Sequence, residues 1–572
     1  MLVQTKPVLL TLLPHSHPFN LAMRSYLRAN QITKGLGTRE CFVFREQIYR
    51  RHPDLAVSLA RYYVRVEKEA GYVYANQQLR KLHKKLTLGP QFHGIYIDSP
   101  DEDVKTFAKK KSLAVLKLLG DTSKHQGEKE AIKKVIDLVN DCGLNFPLEA
   151  INKASSEEIA GAIARCCDDE WWRRQIRRHQ DTVLEHVHIE IGLVNKTKGI
   201  YCSNFMVERK RAQHKRNMKT LSLLIAENDL GESLSLLELA KRSTANLVNR
   251  RNELMTRISG FEEIAKEQDH VGIFYTLTAP SCFHACLSSN GKHNPRYKGY
   301  SPAETQKYLN TLWRRTRAKL KRQDIQPYGV RVVEPHHDGT PHWHLLLFVP
   351  KHQEEQLTQI MREYALAKDP NEPGARQHRF KVEHINPNKG SAVGYIAKYI
   401  AKNIDGEHVG EDNYGKDAID SAARIRAWAS TWNFRQFQFI GGPSVTVWRE
   451  SRRLANSEES GALLSKGDPD LLAKIVQAAD QGDWRRFVSL CGGPQAPRKA
   501  QPLRAFQVVK DTLNKYGELC HKIIGLLYKN AEIVKTRFRE WQIKLAPVKS
   551  EQMMNECFSI GGANAPPLEF CQ

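Results

Sequence analysis

Two histidines flank a tryptophan in His342-Trp343-His344, directly before the apolar run Leu345-Leu346-Leu347-Phe348-Val349. Imidazoles two apart on a strand point to one face and can share a single metal ion. Further on, Tyr395-Ile396-Ala397-Lys398-Tyr399 sets two phenols four apart, the spacing that stacks side chains on one side of a helix. A divalent metal beside paired tyrosines in a basic chain points to cutting and rejoining a nucleic-acid strand.

A third ligand is offered by Tyr328-Gly329-Val330-Arg331-Val332-Val333-Glu334, whose alternation puts Val330, Val332 and Glu334 on one face. Two imidazoles and a carboxylate leave room for water and a phosphate oxygen, which suits catalytic Mg2+ or Mn2+; manganese accepts nitrogen more readily. Register decides whether Glu334 belongs. A two-residue turn at Asp338-Gly339 would set Glu334 opposite Trp343, on the wrong face, whereas an odd-numbered loop or a bulge sets it beside the histidines. Pro335 and Pro341 favour the wider connection, and His336, His337 and Asp338 are rival ligands or DNA contacts if that loop folds inward.

With Tyr395 as zero on a helical wheel, Lys398, Tyr399 and Lys402 all fall within about 60° of it. Ile396, Ala397, Ile400, Ala401 and Ile404 form an opposite stripe that can pack on a sheet. The two lysines on the tyrosine side argue for an exposed face with a phosphate nearby. A phenol of pKa ~10 is scarcely ionised at neutral pH, so Lys398 or Lys402 is expected to stabilise phenoxide or the transition-state oxygens. Exchange of one phosphodiester for another needs no ATP to be reversed.

These groups need elements to carry them. With 572 residues the chain is expected to hold two to four domains. Its 87 Lys and Arg against 63 Asp and Glu give a net charge of +24, which fits a polyanionic partner. No stretch approaches the roughly 20 apolar residues of a membrane span, and Pro7 to Pro14 makes a poor signal peptide. Eleven irregularly placed cysteines suit a reducing cytoplasm; Cys282-Phe283-His284-Ala285-Cys286 lacks a second pair to complete a zinc site.

Periodicity reads residues 1–255 as a mainly helical region, possibly DNA-binding, 256–455 as the domain with the candidate site, and 456–572 as a helical C-terminal region. Trp171-Trp172 with Arg173, Arg174, Arg177 and Arg178 reads either as a base-stacking cluster or as a helix with buried tryptophans. Arg209-Lys210-Arg211 with Lys215, Arg216 and Lys219 is a phosphate-binding or merely solvated helix face. Leu236 to Leu247 faintly suggests helix-turn-helix. A basic amphipathic helix is expected at about 303–322, burying Tyr308, Leu309, Leu312 and Leu320, and a long helix at about Arg504 to Lys544. The tail from Gly561 to Pro567 offers little to bury and reads as disordered.

The motifs Phe274-Tyr275-Thr276-Leu277-Thr278-Ala279-Pro280, Glu334 to His344 and Tyr395 to Asn403, with Arg435 to Phe439 and Trp448-Arg449-Glu450, resemble the HUH endonuclease superfamily. More narrowly they resemble the replication gene A proteins of temperate tailed bacteriophages. The resemblance implies an α+β fold, with a central five-stranded antiparallel sheet carrying the histidines and the tyrosine helix beside it, between mainly helical N- and C-terminal regions. It implies rolling-circle initiation on single-stranded or supercoiled origin DNA in the cytoplasm of a bacterial host. Tyr395 or Tyr399 would nick one strand, keep its 5′ phosphate and leave a 3′ hydroxyl for the host polymerase, and the other tyrosine would close the circle. A host helicase is implied too, since no Gly-x-x-x-x-Gly-Lys-Ser/Thr loop is found. The alternatives are a transposase or relaxase with the same site, or a non-catalytic origin-binding protein.

Overall fold

A computed structural model describes residues 18–88, 92, 95–385, 391–407, 410, 411, 415–457 and 471–547. The run Pro7 to Pro14 and the tail from Gly561 to Pro567 lie outside them. The chain divides into two compact units, residues 1–146 with 168–194, and residues 147–167 with 195–572.

In the first unit the described elements are helices, the longest being Ala56–Leu86, Asp101–Gln126 and Asp169–Glu190. Of the two readings of the tryptophan pair the packed one holds, because Trp171 and Trp172 are both buried. Arg173 and Arg177 from the same helix converge on the Asp101 carboxylate, and Arg177 also donates to the carbonyl oxygen of Ser99 at 3.0 Å. These guanidiniums are used up in holding helices together.

Among its described residues the second unit holds three antiparallel sheets. Strands β1 (Leu224–Asn228) and β2 (Ser233–Ser235) join β11 (Trp541–Leu545) in the order β11-β1-β2. The central sheet is built from β3 (His270–Leu277), β4 (Tyr328–Pro335), β5 (Pro341–Pro350), β6 (Phe380–His384) and β7 (Phe437–Ile440) in the order β6-β3-β5-β4-β7. This is the expected five-stranded antiparallel sheet of an α+β fold. The third sheet, β10-β9-β8, comprises β8 (Leu503–Leu513), β9 (Leu519–Tyr528) and β10 (Glu532–Lys535).

The first and third sheets correct one expectation: the segment from Arg504 to Lys544 is four strands, β8 to β11, not a long helix. Its Val508-Val509, Ile523-Ile524 and Ile533-Val534 pairs are β-branched and fit a pleated surface better than a helix. Asn514 closes the first hairpin, its side-chain oxygen accepting from the N–H groups of Tyr516 and Glu518 at 2.8 and 3.1 Å.

One face of the central sheet carries Phe274, Val330, Val332, Leu346 and Phe348 into the main core. Two helices cover it. The tyrosine helix Ala392–Ile404 contributes Ile396, Ile400 and Ile404, fully buried as their wheel position predicts, each worth about 1.5–3 kcal/mol. A bracing helix, Leu247–Glu267, contributes Leu254, Ile258, Phe261, Ile264 and Ala265. On the other face lies Pro302–Arg322, where Leu309, Leu312 and Leu320 are buried and Tyr308 is half-buried. Gly329 leaves space that β5 needs, since a Cβ there would collide with the carbonyl oxygen of Leu346.

Candidate metal and tyrosine site

The register of β4 on β5 pairs Glu334 with His342, Val333 with Trp343 and Val332 with His344. The connection is His336 to Thr340, five residues, and that odd number puts the carboxylate on the face of the two imidazoles. The turn is pinned from several sides. The His336 N–H donates to Thr340 O at 2.8 Å, Gly339 N–H donates to His336 O at 2.9 Å, and the Trp428 indole donates to Gly339 O at 2.8 Å. Asp338, fully buried, accepts from the N–H groups of Thr340 and Cys286 and faces His284 at 3.4 Å. Asp338 therefore builds the turn, and burial, outweighed by His284, His337 and His336, leaves its carboxyl well below the usual range.

Glu334, His342 and His344 form the one His/Cys/Asp/Glu cluster among the described residues whose donor atoms all lie within 4.8 Å of one another. The His344 Nε2 is 2.9 Å from the His342 Nε2 and 3.0 Å from a Glu334 oxygen, with 3.8 Å between His342 and Glu334. Burial, together with His336, His344 and Lys402, drives the His342 pKa far below its ordinary value, so the imidazole is neutral. Burial pushes the Glu334 carboxyl up, but Lys402 and His344 prevail and hold it down to about 2. Two imidazole nitrogens and a carboxylate oxygen converge this closely, with His342 neutral and Glu334 ionised. That donor set fits a divalent cation.

The surrounding groups orient the cluster. Thr276 Oγ1 lies 3.1 Å from His344 Nδ1, while Nε2 is directed at Glu334 and His342. His336 is half-buried with its ring centroid 4.2 Å from that of His342 and, through desolvation and His284, its pKa falls to about 3. His336 is thus a neighbour of the cluster rather than one of its three members.

The tyrosine helix starts with two anchors. Ser391 caps it through the Gly394 N–H, and the buried Glu262 of the bracing helix accepts from the Ala392 and Val393 N–H groups at 3.0 Å each. Its phenols then meet the cluster unequally. The Tyr399 ring lies 4.1 Å from that of His344 and stacks on Phe274 at 5.2 Å. Burial, with the Glu334 and Glu383 charges, pushes its pKa up to about 12. Tyr395 lies one turn earlier, half-buried, and Lys398 is exposed.

Lys402 departs from expectation. It is 2 % exposed, ion-paired with Glu334, with its ammonium 5.1 Å from the centre of the Tyr201 ring. The Tyr399 and Lys402 end of that side looks onto the metal face of the sheet while Lys398 stays exposed, so Lys402 is drawn to the buried carboxylate. Sequence reading gave no role to Thr276, Glu262 or Tyr201. Thr276 could have been found by pairing strands, since it registers opposite His344, but Glu262 and Tyr201 are brought in by tertiary packing alone.

Elsewhere the candidate DNA-reading segment forms helices Leu236–Arg242 and Leu247–Glu267, the second being the bracing helix. Cys282 and Cys286 are buried, and among the described residues neither belongs to the candidate metal cluster. No described helix is long and apolar enough to cross a membrane.

Comparison with known proteins adds three findings. A family model described as bacteriophage replication gene A protein matches residues 102–407, just over half of the chain. A probable replication protein of Pseudoalteromonas phage PM2 is 43% identical over 396 residues, covering 68% of this chain and 60% of that protein. The replication gene A protein of Escherichia phage 186 is 41% identical over 435 residues, covering 72% and 61%, and a probable replication endonuclease from a Salmonella paratyphi A prophage-like region is 33% identical over 421, covering 72% and 52%. The chain thus spans about 60% or less of the length of these relatives. No solved structure matches.

Proposed function

The chain belongs to the bacteriophage replication gene A protein family, and from that premise we propose that it is a site- and strand-specific DNA endonuclease and ligase that starts rolling-circle replication. The observation that carries the reading is the position of Tyr399, its ring against His344 at the edge of a buried two-histidine, one-carboxylate cluster. Mg2+ or Mn2+ held by Glu334, His342 and His344 would supply charge to a bound phosphate and make its phosphorus more electrophilic.

In the reading offered here the phenolic oxygen of Tyr399 attacks the scissile phosphorus. A P–O bond to tyrosine forms as the P–O3′ bond breaks, and the phenolic proton is balanced by the one the departing oxygen gains, leaving a 3′ hydroxyl. The DNA 5′ end stays on the enzyme as a phosphotyrosine ester. Burial holds Tyr399 protonated until substrate arrives, which keeps the nucleophile idle without a phosphate to attack. Tyr395, one turn away, is assigned to the second transfer that closes the strand. Lys402 keeps Glu334 ionised and oriented, and exposed Lys398 is left as the ammonium for the DNA phosphates. Origin DNA, a host helicase and a host polymerase are the partners, in the bacterial cytoplasm.

The test is a denaturing gel for covalent protein–DNA adducts formed on single-stranded origin oligonucleotides with Mg2+ or Mn2+. An adduct that needs the metal and disappears in Tyr399→Phe supports the proposal. No adduct with any oligonucleotide of its own replicon moves the protein to the non-catalytic origin-binding reading.

A further inference from the structure

Four guanidiniums gather around β7, the edge strand of the central sheet. Arg250 and Arg257 come from the bracing helix, Arg435 stands just before the strand, and Arg449 lies on helix Val445–Ala455. Among the described residues the carboxylate that answers them is Glu253, held by Arg449 at 2.8 and 2.9 Å. Among the described residues neither an acidic side chain nor a hydrogen-bond acceptor contacts the guanidiniums of Arg250, Arg257 or Arg435.

Two of these charges are instead laid on aromatic rings. Arg257, 7% exposed, is stacked 3.5 Å from the centre of Phe439 with Trp484 at 4.8 Å, and its Nε has no partner. Half-buried Arg250 sits 5.4 Å from the centre of Phe437. Stacking orients a guanidinium but does not neutralise it. Burial, eased by Glu253 and reinforced by Arg449 and Arg435, brings the Arg257 pKa down to about 9. Leaving a buried cation without an anion is costly, so Arg250, Arg257 and Arg435, with no described carboxylate in contact, describe a site suited to an anionic ligand.

The place of the cluster says which anion. Phe437 registers opposite Val332, and Val332 opposite His344, so the arginines lie on the metal face, beside the strand that carries Glu334 and two strands, about 10 Å, from His344. The edge is also tied to the nucleophile: Gln436 donates to Asn403 Oδ1 at 3.2 Å, and Asn403 donates to the carbonyl oxygen of Tyr399 at 2.6 Å. A chain of phosphates occupying the tyrosine site and continuing along the sheet reaches exposed Arg435 and half-buried Arg250.

We propose that Arg435 and Arg250 are a phosphodiester-binding site for the single DNA strand flanking the scissile phosphate, with Arg257 behind them as a fixed positive charge. The site deepens the nickase reading and rests on it. Its use is positional: contacts away from the reacting phosphorus hold the strand in register with the tyrosines.

Fluorescence anisotropy of labelled oligodeoxythymidylate on the full chain, titrated against salt in EDTA so that no cleavage intervenes, tests it. Each lost single-strand phosphate contact lowers the slope of log affinity on log salt by about 0.7. Arg250→Gln/Arg435→Gln is expected to lower the slope by about 1.4, and Arg435→Gln, a substitution of an exposed side chain that folding tolerates, by about half that. Lys129→Gln/Lys133→Gln, which removes the same charge from an exposed helix of the first unit, is expected to keep the slope. A wild-type slope in both arginine variants overturns the site, and so does an equal loss in the lysine control or a loss seen only with duplex DNA. A chain that shows the expected slopes but never forms an adduct refutes the nickase reading and leaves a DNA-binding site; adduct formation with unchanged slopes does the reverse.

Discussion

Two glutamates of the second unit are buried to almost the same degree, Glu334 at 1% and Glu450 at 2% exposed, and they do different things. Glu450 is satisfied. Thr536 Oγ1 donates to one oxygen and Arg537 to both, at 2.8 Å through Nη2, tying helix Val445–Ala455 to the end of the third sheet. Glu334 shares one oxygen with Lys402, while the other faces two imidazoles of which His342 is held neutral. A buried carboxylate whose partners are all donors is a clamp. One whose partners include a neutral imidazole is suited to hold a cation, the role proposed for Glu334.

That distinction breaks most sharply on removal of a ligand. Glu334→Gln or His342→Ala is expected to lower adduct formation by at least about 10^3-fold, with salt-sensitive DNA binding largely kept because phosphate contacts are spread over many basic residues. Chelation of the wild type should give the same loss and added Mn2+ or Mg2+ should reverse it. Full cleavage by His342→Ala would show that the cluster is only structural. Next come the phenols. Tyr399→Phe should abolish the first adduct, whereas Tyr395→Phe should form it and fail to complete joining; equal nicking by both would make the tyrosines interchangeable.

Glu450→Gln should have the opposite signature, costing about 3 kcal/mol of stability, read by denaturant midpoint, and leaving adduct formation by the folded chain unchanged. Its pH dependence follows in sign. Burial raises the Glu450 pKa, but Arg537 and Thr536 outweigh it and leave the folded value below the ordinary 4.5. The contribution is therefore complete above the unfolded pKa and is lost as pH falls through the folded one. The gap in stability between wild type and Glu450→Gln should narrow below about pH 4.5 and stay constant above it. A gap that is independent of pH down to acid unfolding would mean that Glu450 is not ionised in the fold.

How far such differences are legible beforehand depends on what sets them. His342 and His344, Tyr395 and Tyr399, and the buried Ile396, Ile400 and Ile404 follow from a period of two or of 3.6, which local spacing carries. Glu334 needed the loop length as well, and Pro335 and Pro341 were the signal for it. Lys402 was placed on the correct side of its helix but with the wrong surroundings, because a wheel gives direction and not what lies there. The clamp of Glu450 on Thr536 and Arg537 could not be read at all, since it joins segments 86 and 87 positions apart whose second partner was taken for helix. There the charged residues between the β-branched pairs imitate an amphipathic helix, and only the Asn514 to Gly517 turn marks the hairpin.

The finest test separates a ligand from the group that aims it. If His344 offers Nε2 to a cation, its Nδ1 carries the proton and donates to Thr276 Oγ1 at 3.1 Å. Thr276→Val keeps the shape and removes the acceptor, leaving an N–H unpaired against the stacked rings of Phe274 and Tyr399. The imidazole then gains by moving its proton to Nε2, which competes with the cation for the same lone pair. Metal affinity should fall by about tenfold, seen as a shift of the Mn2+ midpoint for adduct formation, with the yield restored at saturating Mn2+. Thr276→Ser returns the oxygen and should return most of the affinity. A yield depressed equally at every Mn2+ concentration would instead place Thr276 in the packing under Tyr399, and the comparison with Glu450 would then have to be drawn between two structural carboxylates.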